Sequence, residues 1–249
     1  MSEILPIYSI VVPAFREADL IGSTLQGLAN YLSEQGIKDK TEVIVVAADG
    51  GDDTAGIAQS FAEHFMTLRV VQPGARVGKG RDVRAGMQVA RGQYVMYMDA
   101  DLATPLVHLM PLLQQLEAGY DVVIGVRDLW TIHTGLRKYG SFFANVLIRL
   151  LATPGIRDTQ CGFKGFRADA ARRLFAHMTI VGWGFDIELL VLARLAKLHV
   201  GTIKLADWHD PKPAGNGLSG DSPIHALLTT LRELLIIKRN RLAGKYKGV

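Results

Sequence analysis

Along the first half of the chain, short apolar runs alternate with stretches in which apolar residues recur every three or four positions. The runs at 8–12 (YSIVV), 43–47 (VIVVA), 68–72 (LRVVQ), 94–98 (YVMYM) and 122–125 (VVIG) are rich in β-branched and aromatic residues and end in polar or glycine-containing turns. That pattern predicts strands. Helical spacing fills the gaps, reaching to about Glu34, then resuming from about Asp53, from about Gly80 and after Pro105. Strand and helix in alternation predict an α/β fold with a mostly parallel, Rossmann-like sheet, helices on both faces and right-handed crossovers. Ligands gather at the carboxyl ends of such strands, so the loops after Val12, Val46, Gln72, Met98 and Gly125 should build one site.

After Arg127 the pattern changes. An apolar helical segment runs from Tyr139 to Ala152, followed by the compact "RDTQCGFKGFR", a helical "FDIELLVLARLAKL" and a strand near Gly201 to Leu205. The Gly/Pro-rich stretch from Asp210 to Pro223 resists regular structure and suits a lid. A C-terminal helix follows, with Ile224, Leu227, Leu228, Leu231, Leu234 and Leu235 at helical spacing, Ile236 and Ile237 extending its apolar surface, and a basic tail. No second domain boundary is visible, which predicts one domain over residues 1–249.

Composition narrows this picture only a little. With 49% hydrophobic residues in 249, the chain can bury a large core. A net charge of +4 favours anionic partners without choosing among them. The single cysteine, Cys161, excludes an intramolecular disulfide and a cysteine metal cluster, which fits a reducing compartment. The start of the chain reads as neither signal peptide nor anchor, and no window reaches the roughly 18 apolar residues of a membrane span.

Candidate chemistry sits at the expected strand ends. In "YVMYMDADLATP", Asp99 and Asp101 leave a buried strand roughly 6 to 7 Å apart, where like charges repel unless a cation intervenes. Two hard carboxylates and a diphosphate would suit Mg2+ or Mn2+; a turn and helix cap is the alternative use of the same pair. The loop "PGARVGKGRDVRAG" resembles a P-loop, but only three residues separate Gly74 from Gly78 and Gly80 replaces the Ser or Thr after Lys79. A helix start with Lys79 beside it still suits an anion. Pro13, Ala14 and Glu17 follow the first strand, and Asp49, Asp52 and Asp53 the second. Neither loop carries the dinucleotide fingerprint, and one of Asp52 and Asp53 should cap a helix. Arg157, Asp158, Gln160 and Lys164 crowd "GIRDTQCGFKGF", with Asp186 and Glu188 downstream; taken alone, such pairs are more often structural than catalytic. Cys161 reads as a packed residue rather than a nucleophile.

Taken in order, "VVPAFRE", the Asp/Gly loop, "RVGKG", "DAD" and "GVR" resemble family 2 glycosyltransferases of the GT-A fold. "RVGKGRDVRAGM", "MDADLAT", "GIRDTQCGFKGF" and "WGFDIELL" are similar to dolichyl-phosphate β-glucosyltransferases and polyprenyl-phosphate sugar synthases, from about Tyr8 to about Arg241. The resemblance implies an inverting transfer of a sugar, glucose first among the choices, from a nucleotide diphosphate donor such as UDP-glucose to a polyprenyl phosphate. A nucleotide-sugar half would span about 1–127 and an acceptor half about 128–249. It further implies that Pro13, Ala14, Glu17 and Asp49 line the nucleoside pocket, with Lys79 at its edge and Asp99 and Asp101 holding metal and diphosphate. Asp101 would share in catalysis, with Arg127. Arg127, Arg137, Ser141 and Lys164 match phosphate and acceptor positions, and Asp158 matches a proposed general base. Because a phosphate monoester is already largely ionised near neutral pH, Asp158 need orient more than abstract. The family's D-D-G-S is here Ala47-Ala48-Asp49-Gly50-Gly51, which leaves base recognition open between Asp49 and Asp52.

The amphipathic segments at Phe142 to Leu151 and in the C-terminal helix predict a protein peripheral to the cytoplasmic face of a membrane. The apolar faces at Phe142 to Leu151 and in the C-terminal helix would supply lipid or subunit contact, which accommodates a homo-oligomer, and no nucleic-acid partner is implied. GDP-mannose, UDP-GlcNAc and UDP-GalNAc remain donor alternatives, as does a non-lipid acceptor. A sugar nucleotidyltransferase would carry a Gly-rich, Arg-containing loop after the first strand, which "VVPAFREAD" is not. A non-catalytic nucleotide-sugar-binding protein would not need Asp99, Asp101, Arg127 and Asp158 together.

Overall fold

The computed structural model describes residues 5–127, 158–208 and 223–249. Their strands form one sheet: β1 (Tyr8–Ala14), β2 (Thr41–Ala47), β3 (Thr67–Val71), β4 (Tyr94–Tyr97), β5 (Val122–Arg127), β6 (Lys164–Arg167) and β7 (Val200–Leu205). Their spatial order is β3-β2-β1-β4-β6-β5-β7. Every pairing is parallel except those of β6, which runs antiparallel between β4 and β5. The pattern-predicted strands are all present within a residue or two; β6 and the helix after it were not expected.

Alternation along the strands divides the core. Ile10, Val12, Val43 and Val45 point to the face covered by α1 (Ala18–Glu34), α2 (Thr54–Ser60) and α4 (Leu109–Glu117). Val11, Ile44 and Val46 point the other way. They meet α3 (Lys79–Val89), α5 (Ala168–His177), α6 (Phe185–Leu195) and α7 (Pro223–Leu242). Leu25, Leu28, Leu112, Leu174 and Leu192 are wholly buried on these helices, each stabilising the fold by about 2 kcal/mol.

Strand order reverses between β1 and β4, so the loops leaving these two strands diverge and open a crevice at their carboxyl ends. Pro13 sits beside it. By that point β4 no longer pairs with β1, whose ladder to β4 ends at Val11, so the missing N–H of Pro13 breaks no bond on that side.

The C-terminal helix is present, but its sidedness differs from the sequence reading. Leu234 and Ile237 pack on the core, whereas Leu235 and Ile236 face solvent with 67% and 36% of their surface exposed. The inward face also carries polar groups with partners. Glu233 accepts the Gly184 N–H at 2.9 Å, and Asn240 donates to the Thr179 hydroxyl at 2.8 Å. The tail folds back so that the Tyr246 hydroxyl reaches the buried carboxylate of Glu188, which also accepts the N–H groups of Thr179 and Ile180. Burial, then the Glu188 contact, pushes the Tyr246 phenol up to about 12. The side chains of Ile224, Leu227 and Leu228, the apolar segment 139–152 and most of the loop 210–223 lie outside the described residues. No described helix is long and apolar enough to cross a membrane.

Replacing Tyr246 with Phe removes one charge-assisted hydrogen bond and keeps the ring. Urea titration should show stability lowered by about 1 to 3 kcal/mol with the slope unchanged. An unchanged midpoint would mean that the tail does not dock on Glu188.

Candidate active site

Loops from β1 to β5 meet at the crevice, as the strand pattern implied, and the segment entering β6 joins them. Asp99 follows β4 and pairs with the Nζ of Lys79, the first residue of α3. Burial pulls the Lys79 ammonium down most strongly, but the carboxylates around it, Asp99 foremost, outweigh this and leave its pKa raised. Its Nζ also lies 5.2 Å from the ring centre of Trp183, an indole 52% exposed at the mouth.

Asp101 makes the turn that its motif allows: one oxygen accepts the Ala103 N–H at 3.0 Å, and the other takes no part in that bond. Burial, then Asp99, pushes its pKa up. Leu102 beside it holds φ at 53°, and Arg16 beside Glu17 holds 58°, a left-handed conformation that costs a side-chain-bearing residue energy. Both strained residues abut acidic positions of the crevice.

Glu17 stands at the start of α1. Its carboxyl is pushed up to about 7, first by burial and then by Asp101, Asp52 and Asp99, with Arg76 opposing. Asp52 is the capping residue of its loop: it accepts the Ala18 N–H at 3.1 Å and the Thr54 hydroxyl at 2.7 Å. Asp53 precedes α2 without a side-chain cap bond. Asp49 is exposed and bonds locally to the Gly51 N–H, while its own N–H reaches Gly74 O at 3.0 Å and ties the β2 loop to the β3 loop. Between those loops lies a 270 Å³ cleft lined by Ala47, Ala48, Asp49, Gly50, Gln72 and Gly74 among others. Its flat alanine and glycine floor with Asp49 at the edge suits a base. Pro13 is half-buried and Ala14 fully buried at the end of β1.

On the other side, Arg127 ends β5 and grips Asp158 with two bonds, Nε to Oδ2 at 2.6 Å and Nη2 to Oδ1 at 3.1 Å. Asp158 also accepts the backbone N–H groups of Arg127 and Gln160, both at 3.2 Å, and is 1% exposed. Burial lowers the Arg127 pKa, but the pair with Asp158 more than reverses this and keeps the guanidinium charged. Its guanidinium carbon lies 5.0 Å from the ring centre of Trp208. Burial and then Asp158 push the Cys161 thiol up to about 12, which removes it as a nucleophile.

Lys164 departs from its expected place. It is wholly buried, with its Nζ bonded to the carbonyls of Thr159 and Cys161 and to Asp186, so none of its three N–H groups is left for a substrate phosphate. Arg137 and Ser141 lie outside the described residues. The pattern gave no notice of Gly162 or Trp183. A Cβ on Gly162 would come within 2.1 Å of an Asp99 oxygen, so only glycine lets the Asp158 turn rest against the Asp99 carboxylate. The one signal for Trp183 was a large aromatic flanked by glycines in a loop.

Asp99 and Asp101 fit a divalent ion. They are hard oxygen donors beside a lysine ammonium already held by one of them, and no described group of three or more His, Cys, Asp or Glu side chains forms a closed cage. An open two-carboxylate set is the kind that shares its ion with phosphate oxygens and water.

Comparison with known proteins places these features. A model described as glycosyl transferase family 2 matches residues 9–175. The chain is 34% identical over 225 residues to a dolichyl-phosphate beta-glucosyltransferase of Trichomonas vaginalis, covering 85% of this chain and 68% of that protein. It is 33% identical over 255 residues to the dolichyl-phosphate beta-glucosyltransferase of Drosophila melanogaster, covering 96% and 76%. Among solved structures, glucosyl-3-phosphoglycerate synthase from Mycobacterium tuberculosis, in complex with Mn2+, UDP and phosphoglyceric acid, superposes with a TM-score of 0.67 at 20% identity. That match covers 97% of this chain and 79% of the other, and it shows the shared fold.

In the protein without nucleotide or metal, Glu17 binds protons between about pH 4.5 and 7 that the unfolded chain releases. Its contribution is therefore present at low pH and lost as pH rises through that window. Glu17→Gln should match wild type below pH 4.5 and exceed it by about 1 kcal/mol at pH 8, discounted for partial exposure, in paired urea titrations. A gap independent of pH would show that Glu17 ionises normally.

Proposed function

Since the chain belongs to glycosyl transferase family 2 and is a glycosyltransferase of the GT-A fold, we propose that it moves glucose from UDP-glucose to the phosphate of a polyprenol, with inversion at the anomeric carbon. The observation that carries this reading is the facing of two charged constellations across one glycine. Asp99, Asp101 and Lys79 stand on the donor side, the Arg127–Asp158 pair on the acceptor side, and Gly162 lets them close together. The names of the relatives support a dolichyl-phosphate acceptor, and the UDP and Mn2+ of the fold neighbour support a uridine donor and a divalent ion, Mg2+ or Mn2+.

In this reading the base enters the cleft between Asp49 and Gly74, within the half formed by residues 1–127 that ends at Arg127. Pro13, Ala14 and Glu17 flank it. Asp99 and Asp101 would hold the ion, which would supply positive charge against the departing diphosphate. Lys79 moves part of its charge from Asp99 to the same phosphates. The acceptor phosphate, with a second pKa of about 6, arrives as a nucleophile and needs placement rather than deprotonation. Arg127 draws it in line with the anomeric carbon, joined by Arg137 and Ser141 of the acceptor half. Asp158 then acts as a positioning residue for Arg127, because its oxygens are committed to that side chain and to two backbone N–H groups.

Lipid access follows from the exposed apolar residues of α7. Leu235, Ile236 and Leu242 stand outward beside exposed Lys238, Arg239 and Arg241, a mixture that suits an anionic membrane surface on its cytoplasmic face. The same outward residues would serve self-association if the chain forms a homo-oligomer.

Transfer of radiolabelled sugar into the organic phase, from a panel of UDP- and GDP-sugars to a short polyprenyl phosphate, tests the reaction. Label should come from UDP-glucose, disappear on chelation and fall by roughly 10²-fold or more in Asp99→Asn. Transfer to 3-phosphoglycerate and not to the lipid would overturn the acceptor assignment.

Vesicle flotation tests the membrane face. Leu235→Ser with Leu242→Ser should weaken binding to phosphatidylserine vesicles by about tenfold, leaving stability unchanged because both side chains face solvent. Equal binding would remove α7 from the membrane contact.

A further inference from the structure

We infer that Lys164 is a positioning residue for the transfer reaction: its ammonium, sunk beneath the site and anchored to Asp186, fixes the turn that sets Asp158 and Asp99 against each other. The inference rests on the proposed function of that site.

Lys164 enters β6 with no exposed surface. Two of its three N–H donors go to backbone carbonyls of a single turn, Thr159 O at 3.0 Å and Cys161 O at 2.7 Å, and the third to the Asp186 carboxylate. The Asp186 oxygen that receives it, on the first turn of α6, also accepts the Tyr97 hydroxyl of β4. The ammonium thus pins the 158–162 turn to a helix and a strand that are both rigidly packed.

Two peptide planes transmit that hold upward. The peptide whose carbonyl rests on Lys164 at Thr159 presents its N–H, that of Gln160, to Asp158 Oδ1 at 3.2 Å. Carbonyl and N–H oppose each other in a trans peptide, so fixing one aims the other, and the cation polarises the bond. The carbonyl of Cys161 belongs to the peptide that leads into Gly162, whose Cα leaves no room for a Cβ beside Asp99. One buried charge therefore governs the seat of the Arg127 partner and the clearance at the donor carboxylate.

A core ion pair with no role in positioning would be a poor stabiliser, since well-packed apolar residues of the same volume hold a fold equally well. This separates the two roles experimentally. Lys164→Met with Asp186→Leu removes the clamp and keeps the volume; Lys164→Gln with Asp186→Asn keeps the shapes closely and removes both charges together, so that neither is left buried alone. Thermal melts, the UDP–Mn2+ dissociation constant and the kinetic constants for transfer are measured on each. Positioning predicts that kcat falls about tenfold or more in the first pair and about threefold or more in the second, a larger loss than that of UDP–Mn2+ affinity in the same variant.

Wild-type kcat in either folded variant overturns the inference. If the first pair does not fold, the second pair decides. If the wild-type protein transfers nothing to the lipid, the proposed function fails separately. The clamp is then read by amide exchange at Gln160, expected about tenfold faster in whichever pair folds, and equal exchange overturns it.

Discussion

The ion pair between Lys79 and Asp99 is the contact on which the charge balance of this site depends. Parallel strands deliver their following loops to one edge, and here those loops bring Asp52, Asp99 and Asp101 close enough to Glu17 for each of the three to raise its proton affinity. Two carboxylates about 5 Å apart in a partly buried setting repel by roughly 3 kcal/mol. A single ammonium at the start of α3 offsets part of this, and the helix starts there because Gly78 lets the preceding loop touch the 178–184 segment. A Cβ on Gly78 would come within 2.3 Å of the Val181 carbonyl. The same segment carries Trp183 to the ammonium and is tied to α7 through Gly184 and Glu233. The position of one cation is thus fixed by contacts spread over half the chain.

The fold was legible wherever burial on both faces imposed a continuous apolar run. The inner strands β1, β2, β4 and β5 stood out because their side chains meet helices on both sides and tolerate few polar residues, whereas the edge strand β7 buries one face, through Gly201, Ile203 and Leu205. The strand β6 escaped because it has four residues, begins with a lysine and contains a glycine; its pairing with β4 and β5 comes from topology, and the lysine is tolerated only because Asp186 and two carbonyls await it. No local pattern encodes a partner 22 residues away. The sidedness of α7 was misjudged for the same reason. Helical spacing grouped Leu234 with Leu235, but the polar groups of Gly184 and Thr179 draw Glu233 and Asn240 inward and turn Leu235 out.

The candidate site was legible in outline because loops at strand ends are fixed by the strands. Asp99, Asp101, Lys79 and Glu17 fell where the alternation put them. What sequence could not supply was the division of labour among like residues. One oxygen of Asp52 takes both the Ala18 N–H and the Thr54 hydroxyl, whereas Asp49 accepts the neighbouring Gly51 N–H; both carboxylates line the same cleft, and it is their bonding that sets them apart.

The same division of labour explains Asp158. A general base needs an oxygen with a free lone pair aimed at the proton it takes. Asp158 accepts four hydrogen bonds from Arg127 and Gln160 and exposes 1% of its surface, the arrangement of an anchor. In the proposed reaction, a phosphate acceptor that arrives already ionised would need no base and would need a cation held at a fixed angle. A carboxylate that grips a guanidinium through both of its oxygens would meet that second need, because two parallel bonds fix the plane as well as the distance. The buried lysine beneath the turn extends this logic by one layer, since an anchor is only as well placed as the backbone that carries it.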